Sequence, residues 1–241
     1  IGKDTTQEEL VAKLEAWNPI LKSGGQVALI VRKGALSFEN KIAYENGNLL
    51  SREEIIRHIT ALSGTDPVVS TTGKASRELF EIREMNNQGH QYDFLTVGSM
   101  GHSSSIALGI ALQRPEKTIW CIDGDGAALM HMGAMAVIGS NAPDNLIHIV
   151  INNAAHETVG GMPTVASKLD FVMIAKGCGY QHAVCVDNLS SLDNELKAAK
   201  SRGRLSFIEV KCSLGARADL GRPTTTAKEN KENFMKFLRG M

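Results

Sequence analysis

Aromatic residues make up only 5% of this 241-residue chain, proline occurs 6 times, and 26 basic residues are matched by 26 acidic ones. Zero formal charge excludes the bulk positive potential that nucleic acid or an anionic membrane attracts, so neither is an expected partner. The four cysteines, Cys121, Cys178, Cys185 and Cys212, contain no Cys-x-x-Cys pair. That argues against a disulfide framework or a thiolate metal knuckle and fits reduced core thiols of a cytoplasmic protein. No apolar run approaches the roughly 20 residues that span a bilayer, and no secretory leader is visible. The 7 histidines lack the His-Glu-x-x-His spacing of a zinc site. The first residue is Ile1 rather than methionine, which suggests a chain that begins mid-protein.

Against these absences stands a regular alternation of apolar patterns. Thr5 and Thr6 with Glu8 and Glu9 predict a capping box, and Leu10, Val11, Leu14 and Trp17 continue at helical spacing up to Pro19. A strand is expected at residues 26–32, and residues 1–35 read as the last helix–strand piece of a sheet. The polar segment 36–50 reads as a linker. From Ser51, capped with Glu54, helices and strands alternate. Strands are expected at residues 67–71, 94–97, 118–122, 146–151, 182–186 and 206–211. Single helices are expected between them, including one from Ala127 onward and one at 166–177, and an amphipathic helix with Phe234, Met235 and Leu238 ends near Gly240. This alternation predicts an α/β fold, a doubly wound and mainly parallel sheet with helices on both faces, over residues 51–241.

The stretch 118–153 carries the densest chemistry. An apolar strand opens into Asp123-Gly124-Asp125-Gly126, and the next apolar strand ends in Asn152-Asn153. If the two strands are parallel, both tips lie on the carboxyl edge of one sheet, where open α/β sheets bind ligands. Glycines and helix-starting amides, here Gly124, Gly126 and Ala127, suit a phosphate, yet Asp125 would repel one. A divalent cation shared between carboxylate, amide oxygen and phosphate resolves the conflict, and all-oxygen ligation favours Mg²⁺. The predicted metal ligands are Asp125, Asn153 and the carbonyl of Ala155. The dinucleotide fingerprint fails, because its third glycine falls on Leu129. Thr72 and Gly73, after one strand, offer a hydroxyl and an amide to the same diphosphate or simply cap a helix. The segment Gly98-Ser99-Met100-Gly101-His102 also follows a strand, with Ser103, Ser104 and Ser105 as expected helix caps.

Gly124-Asp125-Gly126, followed after a helix and a strand by Asn152-Asn153, resembles the signature of thiamine-diphosphate-dependent 2-oxo acid decarboxylases. Gly-Ser-Met-Gly-His-Ser-Ser-Ser and Asn-Asn-Ala-Ala-His-Glu-Thr-Val-Gly-Gly-Met-Pro-Thr are most similar to the phosphonopyruvate-cleaving group, with the sulfopyruvate-cleaving group close behind. The resemblance implies thiamine diphosphate and Mg²⁺ as cofactors and a small anionic 2-oxo acid as substrate. It implies an assembly of at least two subunits, residues 51–241 as the diphosphate-binding domain, and residues 1–35 as the end of a pyrimidine-binding domain. It makes Met100 the apolar wedge under the cofactor, with the Gly98 carbonyl accepting from its aminopyrimidine and Ser99 beside it. No glutamate here matches the family's activating glutamate, which lies on the pyrimidine-binding domain, so the isolated chain is expected to be inactive. His102 and His156 are candidates for touching substrate or cofactor, and Lys74, Arg77 and Arg217 for pairing with an anion. Gly160-Gly161-Met162-Pro163 reads as a lid or a simple connection. Two rival readings are a cofactor-carrying subunit of a two-chain enzyme, which the piece at 1–35 opposes, and a nicotinamide oxidoreductase, which Leu129 and Asp125 oppose.

Overall fold

The computed structural model describes residues 1–37 and 44–240. The chain forms two compact units, Ile1–Ala43 and Tyr44–Met241. Part of the expected linker, residues 38–43, lies outside the described residues.

In the first unit the expected capping box is made: the Glu9 amide donates to the Thr6 hydroxyl at 3.2 Å and the Thr6 amide to Glu9 Oε2 at 3.0 Å. The helix it starts, α1 (Gln7–Lys22), does not stop at Pro19 as the sequence suggested. A proline removes one donor, but the bonds beyond it re-form, with Ser23 N donating to the Pro19 carbonyl at 3.0 Å. The strand expected at 26–32 is not formed. A ladder needs a neighbour, and among the described residues only Ile1 comes alongside, through its amino group on Ile30 O and its carbonyl under Arg32 N.

The second unit alternates as the apolar pattern requires: α2 (Arg52–Ser63), β1 (Val68–Ser70), α3 (Lys74–Met85), β2 (Asp93–Leu95), α4 (Ser103–Gln113) and β3 (Ile119–Gly124). Then follow α5 (Asp125–Met130), α6 (Gly133–Asn141), β4 (Leu146–Asn152), β5 (Ala155–His156), β6 (Met162–Pro163) and α7 (Phe171–Gly177), and finally β7 (His182–Val186), α8 (Leu189–Arg202), β8 (Ser206–Lys211) and α9 (Ala227–Arg239). Two expected single helices are each broken. The segment from Ala127 turns at His131–Met132 between α5 and α6. Residues 165–168 form a 3₁₀ turn before α7, because Asp170 leaves the helix to cap Met173 N at 2.9 Å.

Six strands form one all-parallel sheet in the order β2-β1-β3-β4-β8-β7, and β5 and β6 form a separate antiparallel hairpin. Both faces of the sheet are covered, which is why β4 reads as an unbroken buried run. Trp120, Ile122 and Ile149 pack with Ile55, Leu79 and Leu196 on one face, while Cys121, Val150 and Phe207 pack with Ala107, Ile138 and Phe171 on the other. The short edge strand β2 is sealed by α9, whose Asn230 accepts from Leu95 N at 3.0 Å and donates to Asp93 O at 2.9 Å. Chain order reverses between β1 and β3, so the carboxyl edge there is the topological switch point. Among the described residues no helix is long and apolar enough to cross a membrane.

One close approach limits what the core tolerates. A Cβ on Gly139 in α6 would lie 1.7 Å from the Cys178 carbonyl oxygen, a backbone atom that cannot swing aside. Gly139→Ala is therefore expected to push α6 off the end of α7 and lower stability by at least the ~1–3 kcal/mol typical of overpacking. A urea midpoint shifted down at unchanged slope checks this.

Candidate functional site

The parallel register of β3 and β4, which pairs Asp123 with Val150 and Gly124 with Ile151, brings both strand tips to the same edge. Asp125 and Asn153 accordingly line one cleft of about 140 Å³ together with Thr72, Lys74, Met100, Gly124, Gly126, Ala127, Ala155 and His156. The rest of its wall includes Arg52, Glu157, Thr158 and Val159.

Each tip is anchored from below by a buried polar chain. Under β3, the Asp123 Oδ1 accepts from Gly124 N at 3.0 Å, its Oδ2 lies 3.4 Å from His148 Nε2, and His148 Nδ1 lies 2.9 Å from the Tyr180 hydroxyl. Under β4, Asn152 donates to Glu209 at 2.7 Å and accepts from Ala154 N at 2.9 Å, holding Ala154 in a left-handed conformation at φ 55. This kink turns Asn153 and Ala155 into the cleft instead of along the strand.

The donor set fits a hard divalent ion. Asp125 is 2% exposed, and burial raises its carboxyl above the ordinary carboxylate range, while a hydrogen bond from Thr164 works the other way. Asn153 Nδ2 donates to Glu157 at 2.9 Å, so its Oδ1 is the atom on offer; that oxygen accepts from Ala155 N at 3.1 Å and keeps a second lone pair. The hairpin ladder uses the carbonyls of Ala154 and His156, which accept from Thr164 N and Gly161 N. By strand alternation the Ala155 carbonyl points away from that ladder. One carboxylate and two amide oxygens are what Mg²⁺ takes when phosphate oxygens and water complete its shell. At Gly126 a Cβ would meet His156 Cε1 at 2.8 Å and Met100 Cε at 3.2 Å, so the bare backbone lets both side chains close on the cleft.

Other predicted residues divide. The Thr72 hydroxyl accepts from Gly98 N at 3.1 Å, which draws the Gly98-Ser99-Met100 loop toward the cleft. Gly73, at φ 95, is the N-cap of α3, as the capping reading has it, although no side-chain hydrogen bond completes the cap. Gly98 and Ser99 take left-handed conformations, at φ 71 and 44, and lead into Met100, which reaches the cleft. The serines do not cap α4: its N-cap is His102, and Ser103 to Ser105 already lie inside the helix. His156 is in the cleft, but His102 is not. Its ring lies 4.2 Å from that of His131, on a separate depression with Ser105 and Met130. Lys74 reaches the cleft and pairs with Glu157 at 3.3 Å. Arg77 is not among the lining residues, and Arg217 is occupied by Glu53, Glu81 and Asp219.

Sequence reasoning missed a buried charge network. Arg52 binds Glu78 through two bonds, of 2.7 and 2.8 Å, and also binds Glu157. Glu157 further accepts from Gly215 N at 2.6 Å. Burial would raise the Glu157 carboxyl, but Arg52, the Gly215 amide and Lys74 outweigh it and hold the group below its ordinary value. Arg52 looked like any first-turn residue after a capping box. Its partners lie 26 and 105 positions away, and nothing local signals them.

Residues 71–210 match the family described as thiamine pyrophosphate enzyme, C-terminal TPP binding domain. The chain is 35% identical over 171 residues to a phosphonopyruvate decarboxylase of Streptomyces viridochromogenes, covering 71% of this chain and 42% of that protein. It is 32% identical over 192 residues to the sulfopyruvate decarboxylase subunit beta of Methanothermobacter thermautotrophicus, covering 80% of this chain and 97% of that subunit. The chain thus spans less than half the length of the phosphonopyruvate decarboxylases it matches. Among solved structures, benzoylformate decarboxylase from Polynucleobacter necessarius superposes with a TM-score of 0.59 at 16% identity, over 73% of this chain and 35% of that one, a likeness of fold.

Proposed function

Since this chain belongs to the thiamine pyrophosphate enzymes and carries their C-terminal TPP binding domain, we propose that its cleft clamps the cofactor's diphosphate through Mg²⁺. Asp125, Asn153 Oδ1 and the Ala155 carbonyl hold the ion in this reading, and it serves the decarboxylation of an anionic 3-substituted pyruvate. The observation that carries it is the shared parallel edge of β3 and β4 at the switch point. Bound thiamine diphosphate supplies the electron sink that lets carbon dioxide leave. The chain's own residues do the rest. Gly124, Gly126 and Ala127 with Thr72 and Gly73 would seat the diphosphate, Met100 with the Gly98 carbonyl and Ser99 would hold the ring-bearing part, and His156 stands where Gly126 leaves room.

Phosphonopyruvate is our first choice of substrate, cleaved to phosphonoacetaldehyde and carbon dioxide. Sulfopyruvate is the second reading, favoured by the 97% coverage of a relative that is named as a beta subunit. We infer the domain plan given above, with residues 1–35 as the end of a pyrimidine-binding domain, 36–50 as linker and 51–241 as the diphosphate domain. The setting we infer is cytoplasmic, in keeping with free cysteines. Assembly into at least a dimer we infer from the family alone. Carbon dioxide release from phosphonopyruvate, sulfopyruvate and pyruvate tests the proposal, measured on this chain alone and with a pyrimidine-binding chain added. Turnover is expected only with the second chain and only for the anionic 3-substituted substrates. Substantial turnover by the chain alone, or equal rates with pyruvate, would contradict it.

A further inference from the structure

We propose that Thr164 is a positioning residue for the metal site and couples the β5–β6 hairpin to its occupancy, an inference that rests on Asp125 being a metal ligand. Thr164 is buried, and its hydroxyl donates to Asp125 Oδ2 at 2.5 Å. The Thr164 Oγ1 in turn accepts from Ala166 N at 3.2 Å, and the Thr164 amide donates to the Ala154 carbonyl at 2.8 Å. One residue therefore holds both halves of the site, the β3 tip through its side chain and the loop after β4 through its main chain.

A threonine hydroxyl has a single proton. With Ala166 N approaching its lone pair, that proton is directed at Asp125, and the bond to a charged acceptor is of the strong, orienting kind. With Oδ2 fixed in this way, ligation falls to Oδ1, and the side chain does not have to be ordered when the ion arrives. Outer-shell partners of this kind are worth about 10- to 100-fold in metal affinity. Thr164 also closes the hairpin whose connection, Glu157 to Gly161, supplies three residues of the cleft wall and turns through Gly160 at φ 116 and Gly161 at φ 76. If the Thr164–Asp125 bond favours the ion, the ion must favour the closed hairpin by the same factor.

The test measures Mg²⁺ affinity calorimetrically in the presence of thiamine diphosphate, and amide exchange of residues 157–161 with and without Mg²⁺, in the parent, Thr164→Val and Thr164→Ser. In the parent, Mg²⁺ is expected to slow exchange across the hairpin. Thr164→Val should bind Mg²⁺ about 10- to 100-fold more weakly and lose that Mg²⁺-dependent protection, and Thr164→Ser should restore both. A merely structural threonine would lower the melting temperature of the valine variant and leave its Mg²⁺ affinity where it was, and that result overturns the inference. So does a parent that binds Mg²⁺ without protecting the hairpin, a result that needs no variant. A parent with no Mg²⁺-dependent cofactor binding would instead remove the reading of Asp125 itself.

Discussion

Replacing Asp125 with alanine is expected to abolish magnesium-dependent binding of thiamine diphosphate and to leave the fold standing. Asp125 is the one carboxylate of the proposed ligand set, so the substitution removes all of its formal negative charge, and two neutral oxygens cannot hold a reluctantly dehydrated Mg²⁺. The loss should exceed the roughly 10- to 100-fold expected when an outer-shell partner is removed. Stability should not follow affinity. Burial disfavours this carboxylate, so its removal is not expected to lower the melting temperature at neutral pH. Isothermal calorimetry with and without Mg²⁺, beside a thermal melt, checks both halves. Unchanged affinity would remove the metal clamp.

The second large effect lies far from the cleft. Arg83, fully buried, clamps Asp93 with two bonds of 2.9 Å and donates to the Gly64 carbonyl at 2.7 Å, tying α3 to the edge strand β2 and to the end of α2. Arg83→Met leaves a buried carboxylate without its counter-charge and is expected to lower stability by about 3–5 kcal/mol. Adding Asp93→Asn should recover part of the loss, because an uncharged pair requires no ion in the core. Burial pushes the Asp93 carboxyl up to about 6, and Arg83 works against that rise. Between its ordinary value and that raised one, the folded state holds a proton the unfolded state has released, so stability falls as pH rises through this window. Without Arg83 the rise goes further, and the deficit of the variant should widen between about pH 5 and about pH 8. Urea titrations at the two pH values measure it. A constant gap would mean that Asp93 is not the group left unpaired.

What was legible in the sequence followed from local signals. Capping boxes at Thr6 and Ser51 fixed helix starts, and β7 and β8 fall where alternating and unbroken apolar runs put them. The two tips that make the cleft were readable because each is a turn motif at the end of an apolar strand. Their parallel orientation was expected from the alternation of strands and helices. Failures came where a distant partner decides. Residues 26–32 have strand composition but, among the described residues, no neighbouring strand to pair with. The break between α5 and α6 and the one before α7 interrupt runs whose composition is helical throughout. His102 and His156 look alike in sequence, His102 beside the Gly-Ser-Met-Gly motif and His156 beside the Asn-Asn motif, yet only His156 faces the cleft. Thr164, Arg52 and Glu157 carry no local signature, because each acts on a residue of another element.

The account turns on a single ion shared between the β3 and β4 tips and the cofactor's diphosphate. Phosphorus-31 relaxation of thiamine diphosphate bound in the presence of Mn²⁺, which replaces Mg²⁺ at oxygen sites, reads that sharing directly. Both phosphorus resonances should broaden strongly in the parent and stay sharp in Asp125→Ala. Sharp resonances from cofactor bound to the parent would place the ion elsewhere and contradict the account.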